Sequence, residues 1–167
     1  GGRERQDSVA RGLRVLPPGF DFVAVHDSER ALVTPTLVAR VVADAVVHGA
    51  AIAAVPLDDT LKRVSLGRIE DTVPRAALWR AQTPQAFRFP LLLELHRRAG
   101  AGATDDAAIL EAAGHAVALV PGHEDNMKLT WPEDLVRLER VLGAALAPRV
   151  GTGFDVHAFA AARRLML

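Results

Sequence analysis

Residues 22–57, FVAVHDSERALVTPTLVARVVADAVVHGAAIAAVPL, decide the fold. Phe22-Val23-Ala24-Val25-His26 has the length and apolar content of a short buried strand, broken by Asp27-Ser28-Glu29-Arg30. Thr34-Pro35 then opens a helix, with Leu37, Val41, Val42 and Ala45 on one face and Gly49 beyond its end. Ala50 to Leu57 reads as a second buried strand. Strand, helix and strand at this spacing predict a right-handed βαβ unit, and so an α/β class with a mostly parallel sheet.

Outward from this unit the pattern continues. Arg5 to Leu16 carries Val9, Leu13 and Leu16 at helical spacing and ends at Pro17-Pro18-Gly19. After the second strand, Leu61 to Val64 and Arg68 to Val73 read as a hairpin turned by Ser65-Leu66-Gly67. A lone hairpin is marginally stable, so residues 58–77 are expected to form a projecting β-hairpin arm that packs on a partner subunit. Leu78 to Gln82 resumes as a strand and Pro90 to Ala99 as a helix. Thr104-Asp105-Asp106 caps another helix, closed by Gly114, and Ala116 to Val120 is a further strand. A final helix is expected from Pro132 to about Leu146, with Thr130 and Glu133 as its capping box. After Ala147-Pro148 a new strand begins with Arg149, so the chain divides into a unit over 1–147 and the start of another over 148–167.

Composition narrows the function. With 167 residues, half of them hydrophobic, the chain can bury the core of one ordinary domain. A net charge of zero offers no footprint for nucleic acid or an anionic membrane. No apolar run approaches the roughly 20 residues of a membrane span, and no signal peptide is legible. The lack of cysteine excludes disulfides and thiolate metal sites, and a cytoplasmic location is the default expectation. Gly1-Gly2 without an initiator methionine, and an apolar run at Met166-Leu167, suggest a chain cut at both ends.

Several residues could carry chemistry. Lys62 and Lys128 are the only lysines, against eighteen arginines. Lys128 precedes a helix start, where ammonium and helix dipole together would attract a phosphate, or it is simply solvated. Asp27 stands just past a strand end, where ligands of open α/β sheets collect, and either shares Mg²⁺ with substrate phosphates or caps a turn. Arg30 nearby could grip a phosphate in a bidentate fork. Thr60 and Lys62 share a strand face and Arg75 follows the arm; these form a phosphate clamp or guard a strand edge. Asp155 and His157 suit zinc but are two ligands where three or four are wanted. His26, His48, His96, His115 and His123 read as ordinary surface or loop histidines.

In order along the chain stand Gly1-Gly2-x-x-Arg5-Gln6-Asp7-Ser8-Val9, His26-Asp27-x-x-Arg30, Asp59-Thr60-Leu61-Lys62-Arg63, Leu78-Trp79-Arg80-Ala81-Gln82-Thr83-Pro84-Gln85, Thr104-Asp105-Asp106 and Asn126-x-Lys128-Leu129-Thr130-x-Pro132-Glu133-Asp134. Together they resemble the 2-C-methyl-D-erythritol 4-phosphate cytidylyltransferase family of the non-mevalonate isoprenoid pathway. Gly153-Phe154-Asp155-Val156-His157-Ala158-Phe159 resembles the opening of 2-C-methyl-D-erythritol 2,4-cyclodiphosphate synthase, to which that family is known to be fused.

The resemblance implies a Rossmann-like, doubly wound α/β domain, a homodimer through the arm, and transfer of a cytidylyl group from CTP to a polyol phosphate. It places Gly2, Ser8, Asp27 and Arg30 at the nucleotide, Asp27 on Mg²⁺ and Lys128 at the α-phosphate. Thr60, Arg75 and Thr104 fall at the methylerythritol phosphate, one of the first two reaching in from a partner subunit. Asp155 and His157 match zinc ligands of the cyclase. Against the family pattern, a glycine-rich N-terminal loop is absent, Ser28-Glu29 replaces two small residues beside Asp27, and the cyclase portion lacks a third zinc ligand. The chain alone is therefore expected to be impaired. Competing readings are a nucleotidyltransferase for another polyol phosphate and a non-catalytic dimerisation or nucleotide-binding piece.

Overall fold

The computed structural model describes residues 2–100 and 102–143. Helix α1 spans Arg5–Val15, strand β1 Phe22–Val25, helix α2 Pro35–His48 and strand β2 Ala50–Pro56. The hairpin is β3 (Leu61–Ser65) with β4 (Arg68–Val73). Strand β5 (Trp79–Arg88), helices α3 (Phe89–Arg98) and α4 (Asp106–Ala112), strand β6 (Ala118–Pro121) and helix α5 (Pro132–Val141) complete the described part.

The local signals read from the sequence act as the chemistry requires. The Thr34 hydroxyl accepts the Leu37 N–H at 3.2 Å, with Pro35 in the first turn, and Gly49 ends α2 at φ 90°. Leu66 and Gly67 both have positive φ, at 48° and 75°, as a tight two-residue hairpin turn requires.

The main sheet runs β1-β5-β2-β6. β2 and β6 pair in parallel, whereas β5 lies between β1 and β2, antiparallel to both. Three strands thus share one direction, and the βαβ unit spans a gap that β5 fills. That insertion is invisible in residues 22–57, because β5 arrives only after the hairpin. β5 is also longer than expected and interrupts its own ladder. Ile52 faces Gln85 and Ala54 faces Ala81, so Ala53 alone opposes Gln82-Thr83-Pro84. The Thr83–Pro84 peptide is cis. This bulge lies next to the carboxyl end of β1 and opposite the middle of β2.

Alternate residues of β2 and β5 serve two cores, as the pleat dictates. On one face Ala50 and Phe87 join Leu13, Phe89, Leu92, Leu95, Ile109 and Leu110 from α1, α3 and α4. On the other, Ala51, Ala53, Ala86 and Val120 pack against Leu37, Val41 and Ala45 of α2. The hairpin pairs only with itself and leaves Val64, Leu66 and Ile69 exposed. Helix α5 buries no residue. Among the described residues no helix is long and apolar enough to cross a membrane.

Leu110, with no exposed surface, closes the core between α3 and α4. Leu110→Ala is expected to lower unfolding stability by about 2–5 kcal/mol. Urea denaturation measures this, and a loss below about 1 kcal/mol would show that the site collapses around the cavity.

Candidate active site

The polar groups converge where β1 ends. The Asp27 N–H donates to Thr83 Oγ1 at 3.0 Å, so the β5 bulge holds the carboxylate from behind. Thr83 Oγ1 is also 3.0 Å from His26 Nδ1. Asp27 Oδ1 accepts from Arg5 Nε at 3.0 Å. Its Oδ2 has only longer approaches, from Arg30 Nε at 3.8 Å and Lys128 Nζ at 3.9 Å. Lys128 reaches this point because its segment is tied to the loop after β1. The Leu129 N–H donates to the Glu29 carbonyl at 2.9 Å, and Arg30 Nη1 to the Asn126 carbonyl at 2.7 Å. The Lys128 ammonium is itself 2.9 Å from Glu29 Oε2.

A second layer lies beneath. Arg5 Nη1 donates to Asp106 Oδ2 at 2.8 Å, and His96 Nε2 lies 2.8 Å from Asp106 Oδ1. Burial works against the charge of Arg5, but Asp106 and Asp27 outweigh it and hold the guanidinium above its ordinary range. For Arg30 burial wins over Asp27 and Glu29, and the shift is downward. Both guanidiniums remain protonated at neutral pH. Buried Asn126 donates to Gln82 Oε1 at 3.2 Å and to the Thr83 carbonyl at 2.8 Å. Gln85 Nε2 donates to Asp105 Oδ2 at 2.9 Å, while Asp105 Oδ1 caps α4 on the Ala108 N–H. Gly122 donates to the Ala54 carbonyl, and a Cβ there would meet the Gln82 side chain.

Arg5, Asp27, Arg30, Thr104 and Lys128 line a cavity of about 230 Å³. It adjoins a second of about 330 Å³, lined by Arg80, Trp131 and Arg137, and the two share Arg30, Ala81, Gln82 and Lys128. Lys128 therefore stands at the junction. A larger space of about 670 Å³ lies between α3 and α4 and holds none of this charge cluster.

The structure brings together Asp27, Arg30, Thr104 and Lys128 of the residues singled out in the sequence. Gly2 and Ser8 stand at the start of α1, the Gly2 N–H donating to Ser8 Oγ at 2.8 Å, outside the cavity lining. Thr60 and Arg75 are exposed at the two ends of the arm and do not line it. Asp155 and His157, with the whole 148–167 unit, lie outside the described residues. Among the described residues no group of three His, Asp or Glu forms a metal cluster.

Three readings need correction. The α5 cap is not Thr130 with Glu133: Trp131 is the N-cap, and Asp134 accepts from the Thr130 and Trp131 N–H groups at 2.8 and 2.9 Å. Those donors are spent on Asp134, so the anion attraction at Lys128 rests on its own charge. Arg30 does not present an open fork, since two nitrogens donate to backbone carbonyls and the third faces Asp27. His96 is no surface histidine but 7% exposed, and it faces Asp106. Its place on the Phe89, Leu92, His96 stripe of α3 was the available signal. Arg5 stood in a motif without a role of its own and Asp106 only as part of a helix cap, because their partners are far along the chain.

A family model for 2-C-methyl-D-erythritol 4-phosphate cytidylyltransferase (IspD) matches residues 1–144. The chain belongs to this family. A bifunctional enzyme IspD/IspF from Granulibacter bethesdensis is 53% identical across 100% of this chain and 45% of its own length. Another from Gluconobacter oxydans is 54% identical across 100% and 44%. The chain thus spans about half the length of these curated relatives. The crystal structure of the cytidylyltransferase from Thermus thermophilus superposes with a TM-score of 0.80 at 42% identity, covering 86% of this chain and 71% of that one. The bifunctional IspDF of Campylobacter jejuni gives 0.71 at 27% identity, over 82% and 35%.

The Asp134 carboxyl is held below its ordinary range by the Trp131 and Thr130 N–H groups. Its contribution is therefore present above the unfolded value of about 3.9 and lost as pH falls through the lower folded value. Hydrogen exchange should show the Thr130 and Trp131 amides protected at neutral pH and losing protection in acid. Asp134→Ala should abolish that protection at both.

Proposed function

We propose that the protein transfers a cytidylyl group from CTP to 2-C-methyl-D-erythritol 4-phosphate and releases pyrophosphate. A phosphate oxygen of the polyol phosphate attacks the α-phosphorus, a new P–O bond forms, and the bond to the β-phosphate oxygen breaks. The attacking phosphate is already anionic at neutral pH, so positioning and charge neutralisation carry the rate. The observation that carries this reading is the meeting of Lys128 and Asp27 at 3.9 Å, at the junction of two adjoining cavities. Family membership supports it.

Lys128 Nζ, released from Glu29, neutralises charge that grows on the α-phosphate. Arg5 and Arg30 add fixed positive charge, and Thr104 offers a hydroxyl on the cavity wall. Gly2 and Ser8 are assigned to the cytidine side. Asp27 Oδ2 has no close partner, so the donor set fits one Mg²⁺ that completes its shell with phosphate oxygens and water. When bound, that ion would neutralise triphosphate charge.

Thr60 and Arg75 are assigned to the methylerythritol phosphate across a homodimer. The hairpin supports this, because it packs on no other strand and exposes Val64, Leu66 and Ile69. The 148–167 unit is assigned to the start of a cyclodiphosphate synthase, with Asp155 and His157 as zinc ligands.

Pyrophosphate release from CTP and 2-C-methyl-D-erythritol 4-phosphate, measured on the protein as encoded, tests the reaction. Lys128→Ala should lower kcat by about 10²–10³-fold, the usual cost of losing one transition-state charge partner. Unchanged turnover in the variant would remove Lys128 from the reaction, no turnover in the parent would leave a non-catalytic nucleotide-binding role, and preference for a different polyol phosphate would change the substrate. Separately, Ile69→Asp should shift sedimentation toward the monomer and leave the core intact. A monomeric parent protein would remove the arm's proposed role.

A further inference from the structure

We propose that His96 is a positioning residue for this site, setting the orientation of Asp27 through Asp106 and Arg5. The proposal deepens the cytidylyltransferase reading and rests on it for the consequence in catalysis. The chain of contacts has no gap. His96 Nε2 lies 2.8 Å from Asp106 Oδ1, Arg5 Nη1 is 2.8 Å from Asp106 Oδ2, and Arg5 Nε is 3.0 Å from Asp27 Oδ1. A carboxylate only accepts, so the histidine carries its proton on Nε2.

Asp106 has no exposed surface, and each of its oxygens has one donor. Arg5 is divided between two carboxylates, one buried and one at the cavity. Its remaining nitrogen, Nη2, is buried and lacks a hydrogen-bond partner among the described residues. That unmet donor is what makes His96 matter. Without the histidine N–H, Asp106 Oδ1 loses its one donor while Arg5 Nη2 still lacks an acceptor. The guanidinium then turns end-on to Asp106, satisfying both, because bidentate pairing is the stronger geometry. Turning end-on takes Nε away from Asp27. The His96 hydrogen bond thus keeps Arg5 shared.

Folding alone does not ask for this histidine. Its position lies on the apolar stripe with Phe89 and Leu92, where leucine would pack without the cost of burying an imidazole. His96 Nδ1 is also buried without a partner among the described residues, a further cost that packing leaves unexplained.

The test compares His96→Leu with His96→Gln, whose amide keeps a donor, in the protein as encoded. Two quantities are read: kcat/KM for CTP, and solvent exchange of the Arg5 Nε–H by nitrogen-15 NMR. His96→Leu should lower kcat/KM about tenfold and speed the exchange by a similar factor, the scale of one redirected charge-assisted hydrogen bond. His96→Gln should restore both to within about twofold of the parent, since it returns that one bond. If His96→Leu does not fold, His96→Asn, too short to reach Asp106, takes its place. A variant that only shifts the unfolding midpoint, with kcat/KM and the Arg5 signal unmoved, overturns the proposal. So does a glutamine variant as impaired as leucine. If the parent protein transfers no cytidylyl group, the functional reading fails, while the Arg5 exchange still decides the positioning claim.

Discussion

A single guanidinium, that of Arg5, ties helix α1 to the N-terminus of α4 and to the loop after β1. Its partners obey opposite demands. Asp106 is fully buried and tolerable only while its charge is matched, whereas Asp27 faces a cavity and must stay available. Breaking the inner pair would leave an uncompensated charge in the core. Retaining it places a cation under Asp27, whose Oδ2 is the open carboxylate oxygen of the cavity lining among the described residues. The same guanidinium serves stability and the site, alongside the packing of Leu13 and Val9 that holds α1 against the body.

The second constraint is the β5 bulge. Gln82, Thr83 and Pro84 oppose one residue of β2, and the freed polar groups are used in three directions. Thr83 supports Asp27 from below, Gln82 Oε1 accepts from Asn126 Nδ2, and Gln82 Nε2 donates to the His123 carbonyl at 2.9 Å. Two loops that bracket the cavity are thereby registered against one strand. The position of Lys128 follows from that register together with the Leu129 to Glu29 bond.

Glu29 competes with Asp27 for the Lys128 ammonium. Its carboxylate stands nearer the Lys128 ammonium than Asp27 does, 2.9 against 3.9 Å. Both side chains are substantially exposed, so the pair is screened and weak. A polyanion can displace it. The negative charge of Glu29 beside the proposed phosphate site is thus partly neutralised by Lys128.

The helices, the hairpin and the strand at residues 22–25 were legible because caps, turns and apolar spacing act within a few residues. Asp27 and Lys128 were legible as candidates, since Asp27 follows a strand end and Lys128 shortly precedes a helix start that their neighbours announce. The insertion of β5, the shift of the α5 cap to Trp131 and Asp134, and the burial of His96 were not. Pairing partners, and competition between adjacent carboxylates for the same amides, are settled by contacts that no local window contains. By itself the amino-acid sequence determined the elements, the family and the charged residue types offered to the cavity. Only the tertiary structure decided which charges meet, because Arg5, Asp106 and His96 lie on three different helices and acquire a common purpose when packing removes the water between them.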